Sequence, residues 1–229
     1  MVVQLEQTTE PEIIYPDQDG NLMSDNTKQF WWIMFIFLNL EYLFSGDENV
    51  FIAADLLWYP VERRNDIRQA PDIMVAFGRP KGYRGSYRQW NEDNIPPQVV
   101  FEILSPGNTT SEMSGKLIFY LDYGVEEYYL YDPDTNNLKG WIRNQGTFSP
   151  IKSMNNWISP RLGIRFDLSG EELQLFLPNG QPFTTFNQEK YRAESERLRA
   201  EQEKARAESA ILRAEKLAQK LRELGIDTD

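Results

Sequence analysis

The chain of 229 residues contains no cysteine and no histidine. Without cysteine it forms no disulfide and offers no thiolate. Without histidine, a Ser-His-Asp triad, an imidazole general base and a His-ligated zinc site are excluded together. Any metal must be held by oxygens, which favours magnesium, manganese or calcium. Acid–base work falls to Asp, Glu, Lys or Tyr. A long apolar run is also missing. The most apolar stretch, Phe30 to Phe44, is shorter than a bilayer crossing requires, and Asn39 and Glu41 interrupt it. It reads as a core helix, and no membrane association is expected. The opening MVVQLEQTTEPE is polar and acidic, unlike a signal peptide, so a cytoplasmic setting is expected.

Positive charge is in short supply. The formal net charge is −11, from 24 Lys and Arg against 35 Asp and Glu. From Gln188 onward the two signs are equal, ten of each, so the acidic excess lies in the rest of the chain. Within that acidic part, Arg63 to Arg88 holds seven basic residues opposed by Asp66 and Asp72 alone. Such a chain is a poor general polyanion binder but can present a local phosphate-facing patch. The stretch RPKGYRGSYRQW interleaves Arg79, Lys81, Arg84 and Arg88 with Tyr83, Tyr87 and Trp90. Basic residues with aromatics between them can grip phosphates and stack on bases. They can equally pack a loop onto its own domain through cation–π contacts.

Three segments differ in kind. Residues 1–25 are rich in Pro, Asp, Glu and Gln and read as an arm with little intrinsic structure. Residues 26–187 read as a helix, three strands, a helix, two strands in a hairpin and a small β appendage, an α/β or α+β sheet domain. VFIAADLLWYP reads as one strand ending at Pro60, PDIMVAF as the second and QVVFEIL as the third, with a long loop between the last two. Thr109, Thr110 or Ser111 can cap the second helix and Gly124 can end it. Residues 188–229 read as one charged helix, free of Pro and Gly from 189 to 224. Arg-Ala-Glu begins at 192, 199, 206 and 213, and Tyr191, Leu198, Ala205 and Leu212 recur at the same interval. That is a heptad repeat with one strong apolar position, because Glu or Ser fills the expected second one. The helix is either solvated by its own ion pairs or a device for self-association or partner docking.

Polar residues break the apolar elements at few places. Asp72 opens the strand PDIMVAF, Glu102 lies inside VVFEIL, and Lys116 precedes LIFYL in the second helix. Strand alternation puts Val100, Glu102 and Leu104 on one face and Val99, Phe101 and Ile103 on the other. Glu102 thus shares its face with apolar neighbours, where an unpartnered charge is costly. Two carboxylates and a Lys suit a phosphodiester-cleaving metal site. The carboxylates hold a hard cation, and the Lys orients or deprotonates a water or stabilises charge at the phosphorus. Each residue also has a plainer reading. Asp72 can cap a turn after Pro71, and Glu102 can face solvent. Lys116 can pair along the helix with Glu112, four residues earlier, with Tyr120 four residues later on the same face. Asp55 interrupts its strand much as Glu102 does, and is either a further metal-site carboxylate or a structural Asp. Glu41 is a weaker, helix-borne candidate.

The combination APDIMVAFG, VVFEILSPGN and EMSGKLIFYLDYGVEEYYLYDP resembles the Uma-two family of "putative endonucleases" in the restriction-endonuclease-like PD-(D/E)XK superfamily. The resemblance covers about 25–187. It implies a mixed sheet with flanking helices and metal-dependent cleavage of nucleic acid, DNA above all. It also implies that Asp72 and Glu102 bind Mg2+ or Mn2+ with the Ile103 backbone carbonyl as a third ligand. Leu104 occupies the place where that pattern has Lys, and the resemblance implies that Lys116 supplies the amine from the helix, with Glu112 and Tyr120 behind it. The alternative is a catalytically silent nuclease-like fold that works as an interaction or assembly protein through its C-terminal helix.

Overall fold

A computed structural model describes residues 13–16 and 26–223. The chain divides into two units, residues 1–183 and 184–229. Most of the arm expected over 1–25 lies outside the described residues.

The first unit is built on a six-stranded sheet with two helices and two small strand pairs. Helix α1 (Thr27–Leu43) is followed by β1 (Val50–Ala54), β2 (Trp58–Tyr59), β3 (Ile73–Phe77), β4 (Tyr87–Arg88) and β5 (Val99–Ile103). Then come α2 (Thr110–Asp122), β6 (Glu127–Asp132), β7 (Asn137–Asn144), β8 (Thr147–Pro150), β9 (Arg165–Asp167) and β10 (Gln174–Phe176). The sheet order is β1-β3-β5-β6-β7-β8. Every neighbour pair is antiparallel except β5 and β6, which are parallel and joined through α2. Strand β5 is therefore central and covered on both faces, which explains its continuous apolar sequence. The fold is mixed α/β, as expected.

Alternation sorts the strand residues between two cores. Val99, Phe101 and Ile103 pack with α1 and the segment around Phe166, and Val100 packs with Tyr120 of α2 and Tyr128 of β6. Helix α1 turns Trp32, Ile33, Ile36 and Leu40 inward at helical spacing. Burying each such side chain contributes about 1.5–3 kcal/mol, which exceeds any intrinsic preference in this aromatic-rich helix. Asn26 caps it by accepting the Gln29 N–H at 2.9 Å. Thr109 caps α2, and Glu112 completes a capping box with it. The start of the crossover helix that carries Lys116 is thereby set by local chemistry.

The expected single strand over VFIAADLLWYP is two strands. Asp55 has φ 49°, a left-handed conformation that Asp tolerates better than most residues and that ends a ladder. Its N–H turns to the carbonyls of Pro71 and Asp72. The long loop between β3 and β5 contains β4, which pairs in parallel with β2. The hairpin after α2 extends by a third strand, β8, through a turn at Gln145-Gly146 where both residues have positive φ. The second unit contains α3 (Phe186–Glu223). No helix among the described residues is long and apolar enough to cross a membrane.

Candidate active site

The register of β3 against β5 ends with Ile73 opposite Phe101. The next residues outward, Asp72 and Glu102, meet where the ladder stops. Asp72 closes it with its side chain, because Oδ2 accepts the Ile103 N–H at 2.6 Å. Pro71 directly precedes Asp72, and the Asp55 bend sits against both carbonyls. The tip of the sheet is thus held by backbone before any ligand is considered.

Glu102 is 2% exposed and both of its oxygens are engaged. Lys116 Nζ donates to Oε2 at 2.7 Å, and the Tyr120 hydroxyl donates to Oε1 at 2.5 Å. Lys116 and Tyr120 lie four apart on α2, so one face of that helix delivers both donors to one carboxylate. Glu112 does not serve as the ion partner of Lys116. Its carboxylate faces the cap at Thr109 and accepts from Asn108 Nδ2 at 3.3 Å.

The electrostatics match this enclosure. Burial, followed by the Glu102 charge, holds the Asp72 carboxyl well above the usual carboxylate range. Burial also raises Glu102, although Lys116 and Tyr120 oppose the rise. Burial by itself lowers the Lys116 amine, but the charges of Glu102 and Asp72 outweigh it and the amine is raised. Lys116 is therefore charged at neutral pH. One ammonium thus faces two carboxyl groups whose ionisation burial opposes.

Among the described residues, no three His, Cys, Asp or Glu side chains are grouped to hold a metal ion. The donor set here is smaller: two carboxylates and one carbonyl. Ile103 presents its N–H and C=O to the same side of β5, the N–H to Asp72 and the C=O to Gln29 Nε2 at 2.9 Å. Oxygen donors of this kind are the type that magnesium and manganese take, and a cation that keeps several waters needs only one or two carboxylates. One hydroxyl near the two carboxylates is unsatisfied. The Tyr128 hydroxyl is fully buried with no hydrogen-bond partner among the described residues. Burial pushes it up, and the charges of Glu102 and Asp72 add to the rise. An unsatisfied hydroxyl costs about 1–3 kcal/mol, and here it lies within the field of the two carboxylates.

Of the other named candidates, Asp55 borders this cluster and the rest lie apart from it. Asp55 is exposed on the bend beside Asp72. Glu41 pairs with Lys81 at 3.8 Å. Arg79 and Arg84 both grip Glu92, at 3.0 Å and 2.6 Å, and Arg79 also contacts Asp93. The Arg84 guanidinium lies 3.9 Å from the centre of the Phe51 ring. Arg88 donates to Ser86 Oγ and to the Tyr15 carbonyl. Much of the basic charge in this loop is engaged inside its own domain.

Two residues at the cluster were not singled out by the sequence reading, Gln29 and Tyr128. Gln29 stands at the head of the stripe Gln29, Trp32, Ile33, Ile36, and a polar residue in that position was a readable sign. Tyr128 sits in the aromatic run EYYLYD, which offers no sign that one hydroxyl lacks a partner.

A family model described as "Uma2: Putative restriction endonuclease" matches residues 3–175. Among solved structures, the chain is similar to a crystal structure described as "a putative nuclease belonging to DUF820" from Anabaena variabilis ATCC 29413. The identity is 15% and the TM-score 0.45, over 59% of this chain and 72% of that one. A likeness that weak adds nothing to the family match. No curated protein matches the chain.

Proposed function

The chain belongs to the Uma2 family of restriction-endonuclease-like proteins, and on that premise we propose that it is a metal-dependent endonuclease that hydrolyses phosphodiester bonds in DNA. The observation that carries this reading is the amine of Lys116 on Glu102. It occupies the surroundings of the second carboxylate although Leu104 is a hydrocarbon. Asp72, Glu102 and the Ile103 carbonyl are the oxygens that would hold Mg2+ or Mn2+. When bound, such an ion polarises a phosphate and lowers the pKa of a coordinated water.

The protein's own residues divide the remaining work. Asp72, fixed by the Ile103 N–H, holds its carboxylate at the sheet tip. Tyr120 keeps Glu102 in one orientation. Lys116, charged at neutral pH, supplies positive potential where a phosphate gains charge as the water oxygen bonds to phosphorus and the leaving oxygen departs. Gln29 must release the Ile103 carbonyl or share it. Lys116 is not the base, because a raised amine is a poor proton acceptor; the attacking water gives its proton to solvent, and the leaving oxygen takes one from solvent.

The test is cleavage of supercoiled plasmid, single-stranded DNA and RNA in magnesium or manganese, with Asp72→Ala alongside. The expected result is metal-dependent cutting of DNA that disappears in the variant while its circular dichroism and melting remain folded. Equal cutting by the variant, or no cutting of any substrate by the wild type, defeats the reading.

A further inference from the structure

Helix α3 exposes apolar side chains on a charged surface: Leu198 is 48% exposed and Leu212 53%. Its sequence decides what can cover them. With Tyr191, Leu198, Ala205 and Leu212 at heptad position d, every following e position is Arg: Arg192, Arg199, Arg206 and Arg213. The g position after each of them is Glu: Glu194, Glu201, Glu208 and Glu215. The strict Arg-Ala-Glu triplet thus places one charge on each flank of the apolar line, with Ala at f facing away.

Orientation follows from that pattern. In a parallel pair, g of one helix meets e of the next heptad on the other. Glu194 then faces Arg199 of a second copy, Glu201 faces its Arg206 and Glu208 its Arg213, each twice by symmetry. In an antiparallel pair, g meets g and e meets e, so Glu opposes Glu and Arg opposes Arg. Putting the alanine line Ala193, Ala200, Ala207 at position a is no better. It brings Arg192 and Arg199 against Arg197 and Lys204. Only the parallel homodimeric register matches opposite charge along four heptads. The seam is thin, because the a positions are Ser195, Gln202, Ser209 and Lys216. Its charge pattern therefore governs partner choice more than strength.

We propose that α3 is a homodimerisation helix, pairing in parallel and in register with a second copy of this chain. Because the chain enters α3 at Phe186, parallel pairing tethers both copies of the site-bearing unit to the same end of the paired helices. This inference rests on the second unit alone and stands whether or not the first unit cleaves DNA.

The test uses the full chain in light scattering and sedimentation. The wild type is expected to dimerise reversibly, and less so as salt rises. One variant carries Glu194→Arg, Glu201→Arg and Glu208→Arg. The other carries Arg199→Glu, Arg206→Glu and Arg213→Glu. Each alone is expected to lose the dimer, and their mixture to recover it as a heterodimer. The native chain lacks Cys, so Leu212→Cys reads orientation directly. It is expected to cross-link to itself under mild oxidation and not to Leu198→Cys. A wild type that stays monomeric at high concentration overturns the proposal, as does cross-linking confined to the Leu198→Cys and Leu212→Cys mixture. Failure of the charge-swapped mixture to recover a dimer overturns the register.

Discussion

Lys116 Nζ lies 2.7 Å from Glu102 Oε2, across 14 residues of chain and from a different element. The side chain 13% exposed on the helix neutralises one 2% exposed on the strand. Removing one member of a buried pair leaves the other uncompensated, at about 3–5 kcal/mol. Lys116→Met keeps the hydrocarbon stem and removes the charge. Glu102 then takes up a proton more readily, and its folded pKa rises further. A carboxyl raised in the folded state favours folding below its unfolded pKa and loses that contribution as pH climbs through the folded one. The variant is therefore expected to melt much closer to wild type at pH 5 than at pH 8. Its DNA cleavage is expected to fall by about 10²–10³-fold, the range for losing one charge-stabilising donor.

Tyr120→Phe tests the other oxygen of Glu102. A hydrogen bond to a charged group contributes roughly 1.5–3 kcal/mol, and urea unfolding of the variant is expected to show a loss in that range. If Glu102 binds a metal, loss of this supporting bond also weakens the metal by about 10–100-fold. Calorimetric titration with Mn2+ measures that separately from activity.

Glu92 is the hub of the basic loop, accepting from Arg79 and from Arg84. Burial raises its carboxyl, but the two guanidinium groups outweigh it and the net shift is downward. A carboxyl lowered in the folded state contributes stability above its unfolded pKa, about 4.3, and loses it as pH falls through the folded value. Glu92→Gln is expected to be less stable than wild type at pH 7 and to converge with it in acid. Melting curves across pH 3–7 check this.

Gly140 tests the packing beneath β7. A Cβ there meets Ile151 Cδ1 and Met154 Sδ at 2.7 Å, with Tyr129 at 3.2 Å. Gly140→Ala is expected to cost about 1–3 kcal/mol by overpacking, even though Ala suits a strand better than Gly. A denaturant midpoint at or above wild type contradicts that contact.

Local pattern carried much of this far. Alternation in VVFEIL put Glu102 on the face where α2 lies, and the spacing of Lys116 and Tyr120 put both on one helical face. The Asp55 bend and strand β4 were not legible, because a left-handed residue and a two-residue parallel pairing leave little periodicity. The basic loop shows the limit most clearly. Arg79, Arg84 and Glu92 are ordinary charges in sequence, and their ion pairs depend on how the loop returns over Phe51.

By itself, the sequence determined which chemistries are absent, since a chain without His or Cys leaves only oxygen ligands and amines. It also determined where Glu102 points and where the charges of α3 fall, because these follow from periods of two and seven along a regular backbone. The tertiary structure alone decided that Lys116 rather than Leu104 stands at Glu102, that Gln29 reaches the Ile103 carbonyl, and that the Tyr128 hydroxyl has no partner among the described residues. Those are contacts between elements distant in the chain, and no local period encodes which of several charged side chains meets which.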